Sequence, residues 1–375
     1  MNSKKLLLYL SVFTIQGLCN SVIPILPELA VSGGSGGGPI ASSLLYSGYF
    51  MGALLTMIPF GVLADRVGNL RLVGLGIFLT VLSGSIISVS ENLQVLGTFR
   101  FVEGVGCGAF FPAAYSMLSE EKNSQKSLGE FTFLLNAGLA AGVYFSGLLA
   151  GYEIRTAIRG FTLLAWLAAL GFLIYGGKTP TGKIESIESQ TSENPAGLSP
   201  ALYLKKIAGA LFDNRFGKIW GTSILLYGTT GVVTAIYPLY SIDFLTKPEL
   251  GLAISASYLA AMLGALAASR PVVKYRTIIR AGIIFAAAGI LISPENPTLA
   301  FTLIGIGGGG TAVGLVTAVS EINSSGFAMG LFNTGVYVGL GLVPVLGSSL
   351  LGVLGFEKLF QGCALVLLAA LLIKL

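Results

Sequence analysis

The sequence predicts an all-α polytopic membrane protein whose twelve transmembrane helices form two six-helix bundles related by pseudo-two-fold symmetry. Three observations carry that expectation: the composition, the recurrence of long apolar runs, and a stretch repeated half a chain apart. Of the 375 residues, 54% are hydrophobic and 10% charged, with a mean hydropathy of +0.83, and a water-soluble core cannot hide that much apolar surface. Ten-residue alternation, which a transmembrane barrel needs, is absent, whereas runs rich in Gly, Leu and Ala recur at the length that roughly 30 Å of hydrocarbon demands of a helix. Finally, LLNAGLAAG at 134–142 returns as LFNTGVYVG at 331–339, aligning Asn136 with Asn333, Gly138 with Gly335 and Gly142 with Gly339. A match at equivalent spans of a six-plus-six arrangement points to a parallel repeat.

The first half, residues 1–177, supplies six spans at about 6–30, 42–64, 70–90, 93–118, 128–150 and 157–176. The first follows Lys4 and Lys5 as a signal peptide would, but it continues past Pro24 and Pro27 without a small-residue cleavage motif and is expected to be retained. The loop after it, VSGGSGGGPIA, carries no charge and reads as a flexible connector. Residues 178–214, rich in Ser, Thr, Glu, Pro and Gly, are expected to link the halves. Their later part, running into SPALYLKKIAGALFDNRFGK, is able to form an interfacial amphipathic helix. The second half, residues 215–375, supplies spans at about 216–240, 250–269, 277–292, 298–319, 326–354 and 360–373.

Charge orients the chain. With both termini in the cytoplasm, roughly 17 of the 22 Lys and Arg fall inside and about 4 outside (Arg155, Arg159, Lys247, Lys358), with Arg100 in a span. A multi-pass protein of the cell membrane follows. The net charge of +5 is scattered over loops rather than gathered in a patch, so no nucleic-acid partner is expected. Cys19, Cys107 and Cys363 lie in apolar runs and imply no disulfide framework. The chain has no His, which removes His-based metal sites and pH switches. No nucleophile, metal or cofactor constellation of an enzyme is present.

A short charged turn interrupts the grease after the second span. GVLADRVGNLRLVGLG, residues 61–76, resembles the signature G-x-L-a-D-r-x-G-r-k-x-x-l of the major facilitator superfamily through Gly61, Leu63, Ala64, Asp65, Arg66 and Gly68. Asn69 and Leu70 replace its usual basic pair, and Arg71 brings a cation slightly later. The resemblance covers the whole chain and is most like the twelve-span drug:proton antiporter branch. Pro24, Ile25 and Pro27 echo that branch's element in the first span, and Arg100, Gly104 and Gly106 its element in the fourth, with Glu103 where glutamine is usual. In the fifth, Gly138, Gly142, Gly147 and Leu149 match the antiporter signature, but Val143 and Ser146 stand in place of its Pro and one Gly. Glycines of this kind serve helix packing equally well.

The resemblance implies a secondary active transporter working by alternating access, with no cofactor, a proton gradient as energy source, and a small solute, protons and lipid as partners of a monomer. It implies a conformational gate of Gly61, Asp65, Arg66, Gly68 and Arg71, with Asp65 meeting the helix N-terminus of the eleventh span. The residues add their own candidates. Charge inside a membrane is costly, so Arg100 and Glu103, three apart on one helix, are expected to couple protons, unless they form a permanently ionised structural pair. Glu130, at the start of the fifth span, is the second candidate carboxylate. Gln16, Asn20, Asn136, Tyr144, Tyr227, Asn333 and Tyr337 are polar groups deep in apolar runs, able to hydrogen-bond a solute at midplane or one another between helices. Sparse charge suits a neutral or amphiphilic compound, so the expectation is proton-coupled efflux of a drug-like solute. The alternatives are an importer of a sugar or other nutrient, proton-linked or facilitative, and a transport-silent membrane receptor or scaffold.

Overall fold

The computed structural model describes residues 3–31, 37–121, 123–176, 209, 213–269, 273–322 and 326–373. Among them the secondary structure is entirely helical. The long helices are α1 (Ser3–Ser21), α2 (Pro39–Val67), α3 (Asn69–Ile87), α4 (Leu93–Ser119), α5 (Ser124–Leu149), α6 (Thr156–Gly176), α7 (Asn214–Tyr240), α8 (Lys247–Ala268), α9 (Tyr275–Ile292), α10 (Pro297–Ile322) and α11 (Gly326–Leu354). Each of these eleven, the first taken together with the short segments that continue it to Val31, is long and apolar enough to cross a membrane. The twelfth, α12 (Phe356–Ala369), has 14 residues and runs into a 3-10 turn at Ala370–Leu372. The protein is an integral, multi-pass membrane protein. Successive helices alternate in direction, so the molecule has a near face, on which the chain begins, and a far face at the other end of the helices.

Helix ends follow capping chemistry. After α1, Pro24 and Pro27 break the regular helix into a 3-10 turn at Ile23–Ile25 and a short helix at Leu26–Val31. Between α2 and α3 the chain turns at Gly68, with φ of +92°, a conformation that costs glycine nothing. Thr246 closes a capping box with Glu249, so α8 begins at Lys247, three residues ahead of the expected span. Asp213 caps α7 through hydrogen bonds from the Arg215 and Phe216 amides at 3.0 and 2.9 Å. The stretch from Asn214 to Lys218 is therefore the first turn of α7, not part of an interfacial helix; apart from Gly209 and Asp213, the rest of that expected helix and residues 178–208 of the linker lie outside the described residues.

Glycines set which helices touch, and they do so twice. A Cβ at Gly138 would meet the Phe13 backbone and one at Gly142 the Gly17 backbone, so α5 lies directly on α1. Their counterparts Gly335 and Gly339 bring α11 onto α7 at Trp220 and Gly228. Likewise Gly104 and Gly108 seat α4 against Tyr49 and Thr56 of α2, while Gly305 and Gly309 seat α10 against Ser257 and Ala261 of α8. Backbone approach of this kind is the usual basis of helix association in lipid. The Gly142→Val protein is expected to lose about 1 to 3 kcal/mol of stability, because Gly17 is backbone and cannot step aside. A lowered midpoint of thermal unfolding in detergent checks this, with Gly151→Val, where a Cβ meets nothing, as the unaffected control.

The halves meet along two seams. Gly147 of α5 lies against Lys247 and Gly251 of α8, and Gly341 of α11 against Met51 of α2. Near the second seam, Phe50 and Tyr337 bring their rings to 6.3 Å. On the far face, Lys247 donates from Nζ to the Pro24 carbonyl at 2.8 Å and pairs with Glu28 Oε1 at 2.6 Å. A residue of the second half is thus tied to the segment that follows α1, which holds the two halves together on the far face.

Candidate functional site

The candidate site is a charged cluster inside the first half. Asn92 starts α4 by accepting hydrogen bonds from the Gln94 and Val95 amides at 2.9 and 3.2 Å, which fixes the register of the residues that follow. Two turns on, Arg100 and Glu103 share one face and are both fully buried. Arg100 Nη1 donates to Glu103 Oε2 at 2.5 Å. The guanidinium is held on its other sides as well: Nε donates to the Leu45 carbonyl of α2 at 3.0 Å, Nη2 faces Cys19 Sγ of α1 at 4.0 Å, and the Tyr49 ring lies 5.3 Å from Cζ. The Tyr49 hydroxyl donates to Gln16 Oε1 at 3.0 Å. Three helices therefore converge on one buried cation.

The carboxylate is less well served than the cation. Glu103 Oε1 is buried and has no hydrogen-bond partner among the described residues. A carboxylate oxygen in that position is costly in the ionised form, whereas a proton removes most of the cost. The arrangement can thus hold Glu103 ionised against Arg100 or release it to protonation when the pair loosens. Cys107, one turn further along α4, interacts with the hydroxyls of both Tyr49 and Tyr337, so the cluster reaches the second half through α11.

The other candidates distribute unevenly. Gln16 and Tyr337 join this neighbourhood, the former through Tyr49 and the latter through Phe50 and Cys107. Asn20 is buried and donates from Nδ2 to the Leu139 carbonyl of α5 at 3.3 Å, and it also interacts with the Tyr258 hydroxyl of α8. Asn136 donates to the Thr132 carbonyl of its own helix at 2.9 Å. Tyr144 is exposed and stacks edge-on with Phe145, Tyr227 is half-buried, and Asn333 is exposed. Among the described residues, no hydrogen bond or ring contact joins Asn20, Asn136, Tyr144, Tyr227 or Asn333 to the Arg100 cluster.

Glu130 sits in a different network, on the near face. Lys5 Nζ lies 2.8 Å from its Oε2, the Tyr9 hydroxyl donates to the same oxygen at 2.6 Å, and Lys126 stands 3.9 Å from Oε1. Two cations already compensate this half-exposed carboxylate. Of the turn residues, Arg66, Gly68 and Arg71 are exposed and Gly61 has room beside Pro112. The side chain of Asp65 and residues 323–325, just ahead of α11, lie outside the described residues.

Sequence patterns missed four participants. Tyr49 and Cys107 read as apolar-run residues, and nothing local marked their approach to Arg100 and Tyr337. Lys247 and Glu28 read as separate residues at span ends. Only the capping pattern T-x-x-E at Thr246–Glu249, which places Lys247 on a helix, hinted at Lys247.

Comparison with known proteins decides the family. A family model of the Major Facilitator Superfamily matches residues 8–244 and, again, 219–375. The chain belongs to the Major Facilitator Superfamily. It is 26% identical over 158 residues to a putative inorganic phosphate cotransporter of Drosophila ananassae, covering 39% of this chain and 33% of that protein. It is 24% identical over 197 residues to the quinolone resistance protein NorA of Staphylococcus aureus, covering 51% of this chain and 50% of that one. The chain thus spans a third to a half of the length of these curated relatives. Among solved structures, the nucleoside transporter NupG superposes with a TM-score of 0.74 at 13% identity, covering all of this chain and 97% of that one. A bacterial homologue of the lysosomal transporter Spinster, inward-facing and unoccupied, gives 0.69 at 12% identity, covering 99% and 93%. These likenesses establish a shared fold with this superfamily member.

Proposed function

We propose that this superfamily member is a proton-coupled exporter of a small amphiphilic solute, in which the two halves rock about a midplane site. The observation that carries the proposal is the buried Glu103, paired with Arg100 through one oxygen and unpartnered at the other. A structural ion pair gains from full satisfaction of both partners, whereas a carboxylate that binds and releases a proton needs a site where either state is tolerable. Glu130, already matched by Lys5 and Lys126, is the weaker choice. Similarity to a quinolone resistance protein supports export of a drug-like compound, as does the fact that Arg100 is the one fully buried cation among the described residues.

The near face is assigned to the cytoplasm on the Lys and Arg bias, which places the far face outside. A second reading, import, is favoured by the fifth helix. Where the antiporter signature has a glycine, Ser146 Oγ donates to the Ser21 carbonyl at 2.5 Å, tying α5 to α1 with a hydroxyl.

Reconstitution into liposomes with an imposed pH gradient tests the proposal, with a fluoroquinolone, inorganic phosphate and a nucleoside as probes of the three solute classes carried in the names of similar proteins. Uphill movement of the fluoroquinolone against inward proton flow is expected. Proton-independent uptake of either of the others would contradict it.

A further inference from the structure

A second polar site lies on the far face of the first half, away from the seams. The turn between α3 and α4 and the turn between α5 and α6 border an open cavity of about 520 Å³ lined by Glu91, Tyr152, Glu153, Arg155 and Arg159 among others. Arg159 and Glu153 satisfy each other at 2.5 Å. The side chains of Arg155 and Glu91 do not: neither makes a side-chain hydrogen bond or ion pair among the described residues, although they lie within electrostatic reach of each other. Burial draws the Arg155 guanidinium below its ordinary pKa, with Glu91 acting the other way, so this cation is partly desolvated and without a direct partner. The cavity therefore offers one unspent positive and one unspent negative group.

Part of the rim around those charges is apolar and faces outward. Val89 and Tyr152 at the rim are 71% and 88% exposed, too open for packing residues. Below the cavity, Arg155 and Arg159 begin a row that continues along one face of α6 at helical spacing through Leu163, Trp166, Leu167 and Leu170, all exposed. Cations crowning an apolar stripe at the end of a membrane helix match a headgroup followed by hydrocarbon.

We propose that this cavity binds a zwitterionic phospholipid headgroup, with the phosphate on Arg155, a primary ammonium on Glu91 and an acyl chain lying along α6. The chemistry recognised is a phosphate with an ammonium a short linker away. A free solute of that kind would satisfy the charges, but it would leave the stripe on α6 unused. The site is independent of the proton-coupling proposal, since it shares no residue with the Arg100 cluster.

Thermal unfolding of the purified full chain in detergent, titrated with short-chain lipids, tests this. Dihexanoylphosphatidylethanolamine is expected to raise the unfolding midpoint saturably. The phosphatidylcholine of the same chain length, whose ammonium has no proton to donate to Glu91, and the phosphatidylglycerol, which has no ammonium, should each act more weakly. Arg155→Gln and Glu91→Gln should each raise the half-saturating concentration roughly tenfold or more, the scale of losing one charge-assisted hydrogen bond. Arg155→Lys, which keeps the cation, should lose less. If Arg155→Gln does not fold, Glu91→Gln and Arg155→Lys decide. Wild-type affinity in the folded variants would overturn the proposal. So would equal binding of tail-free glycerophosphoethanolamine, which would make the cavity a site for a soluble zwitterion.

Discussion

Glu103→Gln is expected to abolish gradient-driven transport while leaving exchange of substrate down its own gradient intact. The amide keeps the size of the carboxyl and a hydrogen-bonding atom toward Arg100, but it cannot take up or give up a proton. In the wild type, Arg100 Nη1 meets Oε2 at 2.5 Å while Oε1 is orphaned, so a small movement of α4 against α1 or α2 is enough to change which protonation state is cheaper. Arg100→Ala should be more damaging, because it leaves a buried carboxyl with no cation and removes the ties to Leu45 and Tyr49, a loss of about 3 to 5 kcal/mol. Counterflow and pH-gradient-driven uptake, measured side by side in proteoliposomes, separate the two activities. Glu103→Gln that still concentrates substrate at the wild-type rate, with normal pH dependence, would remove Glu103 from the mechanism and leave Glu130 as the carboxylate to test.

Lys247→Ala should have the largest effect on conformation. Its ammonium bonds the Pro24 carbonyl and Glu28 across the two halves, and Gly147 packs against its backbone, so the side chain holds the halves together on the far face. The pair is mostly shielded from water, and its loss is expected to weaken that closure by about 1 to 3 kcal/mol, which moves the closed-to-open ratio roughly 5- to 150-fold. Glu28→Ala should act in the same direction, and the exchange of the two charges in Glu28→Lys with Lys247→Glu should recover part of the closure. Asp65→Asn is the opposite perturbation. If the carboxylate meets the start of α11, its removal should cost the near-face closure about 0.3 to 2 kcal/mol and shift the population the other way.

Most of the fold was legible because lipid punishes any unsatisfied backbone, so long apolar runs have one structural answer. The glycine repeat was legible too, since Gly138 and Gly142 reappear as Gly335 and Gly339 and make equivalent contacts on α1 and α7. Helix ends were less so. The start of α8 depends on a local hydrogen bond between Thr246 and Glu249 rather than on hydrophobicity.

Within the candidate site, the pairing of Arg100 with Glu103 follows from i,i+3 spacing alone. The rest of the cluster does not, because Gln16, Cys19, Tyr49 and Tyr337 come from three other helices and meet only after packing. The bond between Lys247 and Pro24 joins positions 223 residues apart, which no local pattern reports. Asn20 and Asn136 illustrate the reverse: their polarity was conspicuous in sequence, yet in this conformation their amides are bonded to the Leu139 and Thr132 carbonyls.

Distances between spin labels across both faces test the rocking of the halves most directly. One pair, at Lys126 and Glu321, spans the near face, and another, at Ile40 and Glu295, spans the far face; all four positions are exposed. Alternating access predicts that the two distributions move in opposite senses. Lys247→Ala should lengthen the far-face distance and shorten the near-face one, and Asp65→Asn should do the converse. Distributions that stay fixed in both variants, or that widen together on both faces, would contradict a molecule that opens one side by closing the other.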